Sequence, residues 1–198
     1  MTRVCLIGTA DCNLQYELLS RETSRDALAT YDLERPFENS IALRTVSIGA
    51  AVSLLNDLNW YLTRFVDVAL VQEPSVCDDE WLSRSLATDL RNGTLEPRET
   101  DEFCKVYGLE RVGSEPESEA ERAGEQSSDG AEREHTGEGD DVDGADADSS
   151  ESPGTVPTQW QLVEPLYVRR TDGELPEYDL RDVEETMVVR LTESEHAP

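Results

Sequence analysis

Val4-Cys5-Leu6-Ile7-Gly8 is the stretch on which the fold turns. Four consecutive apolar residues ended by a glycine read as a short strand buried on both faces. A helix follows over 14–31, with Tyr16, Leu19, Ser20, Thr23, Ala27 and Tyr31 as its inward stripe. Pro36 and Asn39 mark a loop, and Ile41, Leu43 and Thr45 then alternate with Ala42, Arg44 and Val46 as a second strand. Ser47 is placed to cap the strongest helix, whose apolar stripe is Ala51, Leu54, Leu55, Leu58, Leu62 and Phe65. A third strand over 65–71 is apolar except for Asp67.

Further along, a third helix starts at Ser75 or Asp78, turns Trp81, Leu82, Leu86 and Leu90 inward, and stops at Gly93. Pro97 suits the first turn of a fourth helix, with Phe103, Val106 and Tyr107 on one face and Gly108 closing it. The stretch 160–168 reads as a strand in which Pro165 requires an edge or bulged position. Met187, Val189 and Leu191 alternate with Val188 and Arg190 as a last strand. This alternation predicts an α/β fold: a three-layer mixed sheet of about five strands, parallel at first and antiparallel at its end. The alternative is an α+β two-layer sandwich, because the last two strands are adjacent in sequence.

Between these elements, 113–158 differs in kind. It holds 15 Asp or Glu against two Arg, seven Gly, seven Ser and three Pro, with no aromatic, Leu or Ile. Such a segment has nothing with which to build a core and is expected to be a disordered acidic insert. The organisation is then one α/β domain over 1–112 plus 159–194, the insert at 113–158, and a flexible C-terminus at 195–198.

The net charge is −27, from 44 acidic and 17 basic residues, and the bases are 16 Arg with Lys105 alone as lysine. No basic cluster offers itself to a phosphate backbone, so nucleic acid is not an expected partner. No run approaches the ~20 apolar residues of a membrane helix, and Val4 to Ile7 is too short for a signal-peptide core. The expected location is the cytoplasm. Outside the insert, 29 acids still face 15 bases, so the acidity belongs to the folded part too. That is the balance of a halophilic protein, since at ~1 M salt a Debye length of ~3 Å screens self-repulsion.

Four strings are familiar together: Gln15-Tyr16-Glu17-Leu18-Leu19-Ser20-Arg21-Glu22-Thr23, Leu54-Leu55-Asn56-Asp57-Leu58-Asn59-Trp60-Tyr61-Leu62, Lys105-Val106-Tyr107-Gly108, and Tyr178-Asp179-Leu180-Arg181-Asp182-Val183-Glu184-Glu185. With them the chain resembles an uncharacterised haloarchaeal protein family, a domain of unknown function. The resemblance implies a haloarchaeal cytosolic origin and carries no activity, fold or site residues.

Histidine is confined to His135 in the insert and His196 near the C-terminus. A folded part without imidazole excludes Ser-His-Asp and Cys-His catalysis and His-containing zinc sites. Lys105 is the one side-chain amine and falls on the expected fourth helix. Cys5, Cys12, Cys77 and Cys104 form no C-x-x-C and read as packed thiols, with Cys12 alone on a loop. Asp141-Val142-Asp143-Gly144 fails as a calcium loop, because its end ligands would be Gly139 and Ser150. No metal or cofactor is expected.

Two sites remain. In open α/β sheets ligands sit at the carboxyl ends of strands, here the loop bearing Thr9, Asp11 and Asn13, with Asp67 as a second carboxylate. The plainer alternative is that Asp11 or Asn13 caps the helix and that Asp67 pairs with Arg44 or Arg64. Asn56, Asn59 and Trp60 form a polar-aromatic helix face suited to a partner, unless Trp60 is covered. The function expected is a non-catalytic binding or regulatory module acting through contacts with a protein partner or a second copy. The alternative is a small-molecule sensor or a carboxylate enzyme, with Mg²⁺ an option, using Asp11, Asp67, or Asp179 and Asp182.

Overall fold

Strand β1 (Thr2–Gly8) is buried on both faces, as its apolar run predicts: Val4 and Leu6 point one way, Cys5 and Ile7 the other. The computed structural model describes residues 1–112, 159–171, 173–178 and 183–197. The expected insert at 113–158, His135, Asp179 and Asp182 lie outside the described residues.

Around β1 stand β2 (Ser40–Thr45), β3 (Val66–Gln72), β4 (Trp81–Ser83), β5 (Phe103–Val112), β6 (Gln159–Arg169) and β7 (Glu185–Leu191), seven strands in the order β2-β1-β3-β4-β7-β5-β6. The sheet is mixed and the fold is α/β, as the alternation of elements implies. The expected run of parallel neighbours is not found. Among the described strands only β4 and β7 pair in parallel; β1 is antiparallel to both β2 and β3. The crossover from β2 to β3 does join strands of like direction, but β1 occupies the slot between them.

The first three helices sit where expected but with different boundaries. The helix over 14–31 is two, α1 (Leu14–Leu19) and α2 (Glu22–Leu28); the fully buried residues are Leu14, Leu18, Ser24 and Leu28, while Leu19, Ala27 and Tyr31 of the expected stripe are half-buried against the same core. Tyr16 is exposed. Ser24 Oγ donates to Leu18 O at 2.5 Å and takes a carbonyl at the break. Ser47 caps α3 (Ile48–Asp57) by accepting from Ala50 N–H at 3.2 Å, and α4 (Asn59–Phe65) follows after a break at Leu58. The third predicted helix starts later, as α5 (Arg84–Asn92) capped by Ser83, because Trp81 and Leu82 are in β4 and face opposite sides of the sheet. Gly93 ends α5 with φ of 70°, as its position predicts.

The fourth helix is overturned. Pro97–Glu99 is a single 3-10 turn, and Phe103–Val112 is strand β5. Phe103, Tyr107 and Leu109 face one side while Cys104 and Val106 face the other. A period of two fits these residues as well as a helical period does, and pairing with β6 and β7 decides between them. Pro165 meets both conditions set for it: β6 is an edge strand, and its register against β5 shifts between Val106 and Gly108.

One face of the sheet forms a continuous apolar surface from Ala42 on β2 to Leu162 on β6. The other face is divided. Helices α1–α5 cover β1–β4 around Leu14, Leu55, Leu58 and Leu86, while Leu175 and Tyr178 lie over Cys104, Val106 and Val168. The sheet curls until its ends meet. Phe37 bridges Trp160 in parallel, and Glu38 N–H donates to Trp160 O at 2.7 Å. The undivided face is therefore the inside of a partly closed barrel.

The C-terminal stretch carries one more short element. Glu193–His196 forms α6, with Thr192 and Glu195 as a reciprocal capping box. Glu195 also accepts from Ser83 Oγ at 2.6 Å, tying α6 to the start of α5. His196 packs on the folded body, its ring centroid 5.1 Å from that of Phe103 and 6.2 Å from that of Tyr167. The Thr-x-x-Glu spacing was the available sequence signal.

Candidate functional site

The turn after β1 is built around Asn39, whose φ of 47° is left-handed. Asn39 Oδ1 accepts from Leu14 N–H at 2.9 Å, and Nδ2 donates to Thr9 O at 3.0 Å and Cys12 O at 2.9 Å. Asn is among the few side chains that tolerate this backbone conformation and can bond locally from it. Asn13 caps α1 by accepting from Tyr16 N–H at 3.0 Å. The Leu14, Tyr16 and Glu17 amides of α1 are thus taken internally, and Asn13 caps the helix.

This turn, the start of β3, the seam at residues 35–40 and the first half of β6 enclose a cavity of about 730 Å³ at one end of the curled sheet. Its volume falls in the usual range of small-molecule sites, ~300–1,000 Å³. Asn13 and Asp67 both line it, together with Cys12, Arg35, Glu38, Tyr107, Gln161 and Glu164. Thr9 and Asp11 do not. Thr9 braces the turn, its Oγ1 3.3 Å from Cys12 Sγ, and Asp11 is exposed.

Asp67 is exposed at the cavity wall and makes no ion pair or hydrogen bond among the described residues. It pairs with neither Arg44, which holds Glu34 at 3.4 Å, nor Arg64. Tyr107 is 6% exposed, and burial, reinforced by the charges of Asp67 and Tyr167, pushes its phenol above its ordinary value. Lys105 is on the same face of β5, its Nζ 4.9 Å from the centre of the Tyr107 ring. Burial holds this ammonium below the usual lysine range, although Glu195 and Asp67 pull the other way. Lys105 is therefore a half-buried amine on a strand, not a residue of a surface helix.

The remaining chemistry is sparse. His196 Nε2 is buried without a hydrogen-bond partner, so no Ser or Cys among the described residues is bonded to it. No group of three or more His, Cys, Asp or Glu is arranged to hold a metal among the described residues. Burial raises the Cys5 thiol to about 12 and the Cys104 thiol to about 11, which makes both inert packed thiols.

Asn56, expected to form a partner face with Asn59 and Trp60, lies on α3, and the other two lie on α4. Asn56 and Asn59 are committed to Arg84, which donates to their side-chain oxygens at 3.2 and 2.9 Å. Trp60 is 56% exposed and is not covered by the C-terminal strands. The guanidinium carbons of Arg21 and Arg64 lie 5.7 and 5.8 Å from the Trp60 ring centre.

Two residues that line the cavity carry no signal of that role in the sequence. Asn39 read only as a loop marker, and Arg35 carried no signal, because their roles arise from a contact between segments far apart in the chain. No significant match was found among curated proteins or solved structures. A family model spans residues 2–109, which includes the turn after β1, Asn39, Asp67 and Tyr107 but not the β6 wall of the cavity. The chain belongs to this family, described as Family of unknown function (DUF5804).

Proposed function

We propose that the protein is a binding module that takes a small polar molecule in the cavity between the turn after β1 and strand β6. The observation that carries this reading is the convergence of Asn13, Asp67 and Tyr107 on a single 730 Å³ space. Mostly apolar walls are usual for such sites; here the wall is rich in amides and charged groups, which suits a ligand with several hydrogen-bonding groups. The reading is of a non-catalytic module; among the described residues no general base is bonded to a nucleophile near the cavity. A halophilic cytoplasmic setting fits the net charge of −27 and the single lysine.

The test is a thermal-shift and calorimetric screen of the full chain in molar KCl against nucleotides, sugars, amino acids and organic acids. At least one class is expected to raise the melting temperature, and Asp67→Asn is expected to cancel the rise. A screen in which no class binds overturns the reading.

A second reading, docking of a protein partner, is favoured by the exposure of Trp60 between two arginines. Aromatic and arginine side chains dominate binding energy at interfaces. Pull-down with the full chain, lost on Trp60→Ala, is the result expected if this face is used.

A further inference from the structure

The charges on the cavity wall are mixed, and their arrangement narrows the ligand. Three carboxylates, Glu38, Asp67 and Glu164, share the wall with one guanidinium, Arg35. All four side chains belong to exposed residues. Neither Arg35 nor Asp67 forms an ion pair among the described residues, although acids outnumber bases 44 to 17 in the chain. The two come from different elements, Arg35 from the seam before β2 and Asp67 from the start of β3. The two therefore face the same space with opposite charges, neither of them held in an ion pair among the described residues.

Resting on the binding role above, we propose that the cavity takes a zwitterion of amino-acid to dipeptide size, its carboxylate on Arg35 and its ammonium on Asp67. A guanidinium presents a planar fork of donors that matches a carboxylate in two parallel bonds. An ammonium donates three hydrogen bonds, which a carboxylate accepts. The excess of carboxylates on the wall selects against a ligand of net negative charge. Gln159, Gln161 and Asn13 then supply amide donors and acceptors for the remainder of the ligand. The volume leaves room for a polar side chain or a second residue.

The experiment is calorimetric titration of the full chain with the twenty common L-amino acids and a set of dipeptides. The best binder is then compared with its decarboxylated amine and its deaminated acid. Both truncated compounds are expected to bind at least about tenfold more weakly, the size of one lost charge-assisted hydrogen bond. Arg35→Gln is expected to weaken the zwitterion about tenfold while leaving the decarboxylated amine unchanged, and Asp67→Asn to do the converse with the deaminated acid. Both side chains are exposed, so circular dichroism of the variants is expected to match the parent. If sugars, nucleotides or organic acids bind and no zwitterion does, this inference is overturned and the binding role stands. If no compound of any class binds, both fall. Equal weakening of all three compounds by either variant also overturns the assignment of charges.

Discussion

A β-carbon on Gly8 would lie 2.5 Å from Asn39 Nδ2, so the Asn39 amide occupies the space that any other residue at position 8 would need. The same amide makes three hydrogen bonds to the turn that follows. Gly8→Ala is expected to cost about 1–3 kcal/mol through overpacking. Asn39→Gly keeps the left-handed backbone but strands the Leu14 amide, and is expected to cost ~1–3 kcal/mol. Urea midpoints at constant m-value measure both.

Glu80 joins the two halves of the sheet. It receives hydrogen bonds from Arg170 and Arg190, whose side chains are 9% and 11% exposed. Burial alone would raise the Glu80 carboxyl, but the two arginines outweigh it and hold it below its ordinary value of 4.5. A carboxyl lowered on folding stabilises the native state above its unfolded value and loses that contribution as pH falls through the folded value. Melting temperature is therefore expected to drop as pH is lowered below about 4.5, and less steeply in Glu80→Gln. At pH 7 that variant is expected to cost ~3 kcal/mol, because two largely buried arginines lose their counter-charge.

The thiols separate by burial. Cys5 and Cys104 are fully buried, and Cys12 and Cys77 are partly exposed. A disulfide reagent at pH 8 is expected to modify two cysteines in the native chain and four after denaturation. Because Cys5 and Cys104 stay protonated to about 12 and 11, against 9.0 when unperturbed, stability is expected to fall as pH rises above 9.0.

Glu195 holds α6 against the body through Ser83 and its own capping box. Glu195→Ala is expected to cost about 1–2 kcal/mol. Amide exchange at residues 193–197 is expected to accelerate, while exchange in β1 falls in protection only by the global loss.

Trp60 sits on the surface between Arg21 and Arg64 and edge-on to Phe65, with ring centres 6.1 Å apart. Trp60→Ala is expected to lower stability by only about 1 kcal/mol, the scale of exposed cation–π and aromatic contacts. A much larger loss in chemical denaturation would show that the residue serves the core rather than a partner.

Much of the molecule was legible because local chemistry fixed it. The run at Val4–Ile7, the caps at Asn13 and Ser47, the stop at Gly93 and the constraint at Pro165 each depend on residues within a few positions. The reading failed where two periods fitted the same residues. Phe103, Val106 and Tyr107 suit a helix face, and Phe103, Tyr107 and Leu109 suit a strand face, so only pairing with β6 and β7 selects β5. The candidate loop was likewise located by its place after β1, yet Thr9 and Asp11 were not told apart from Asn13 and Asp67.

The sequence by itself determined an α/β chain with a buried first strand, capped helices, an acid-rich surface and a carboxylate out of place at position 67. Tertiary structure alone decided that Asp67, Asn13, Tyr107 and Arg35 surround one space. The reason is physical: that space exists only because the sheet curls until Phe37 meets Trp160, 123 positions away, and a contact of such separation leaves no periodicity, cap or spacing in either segment to announce it.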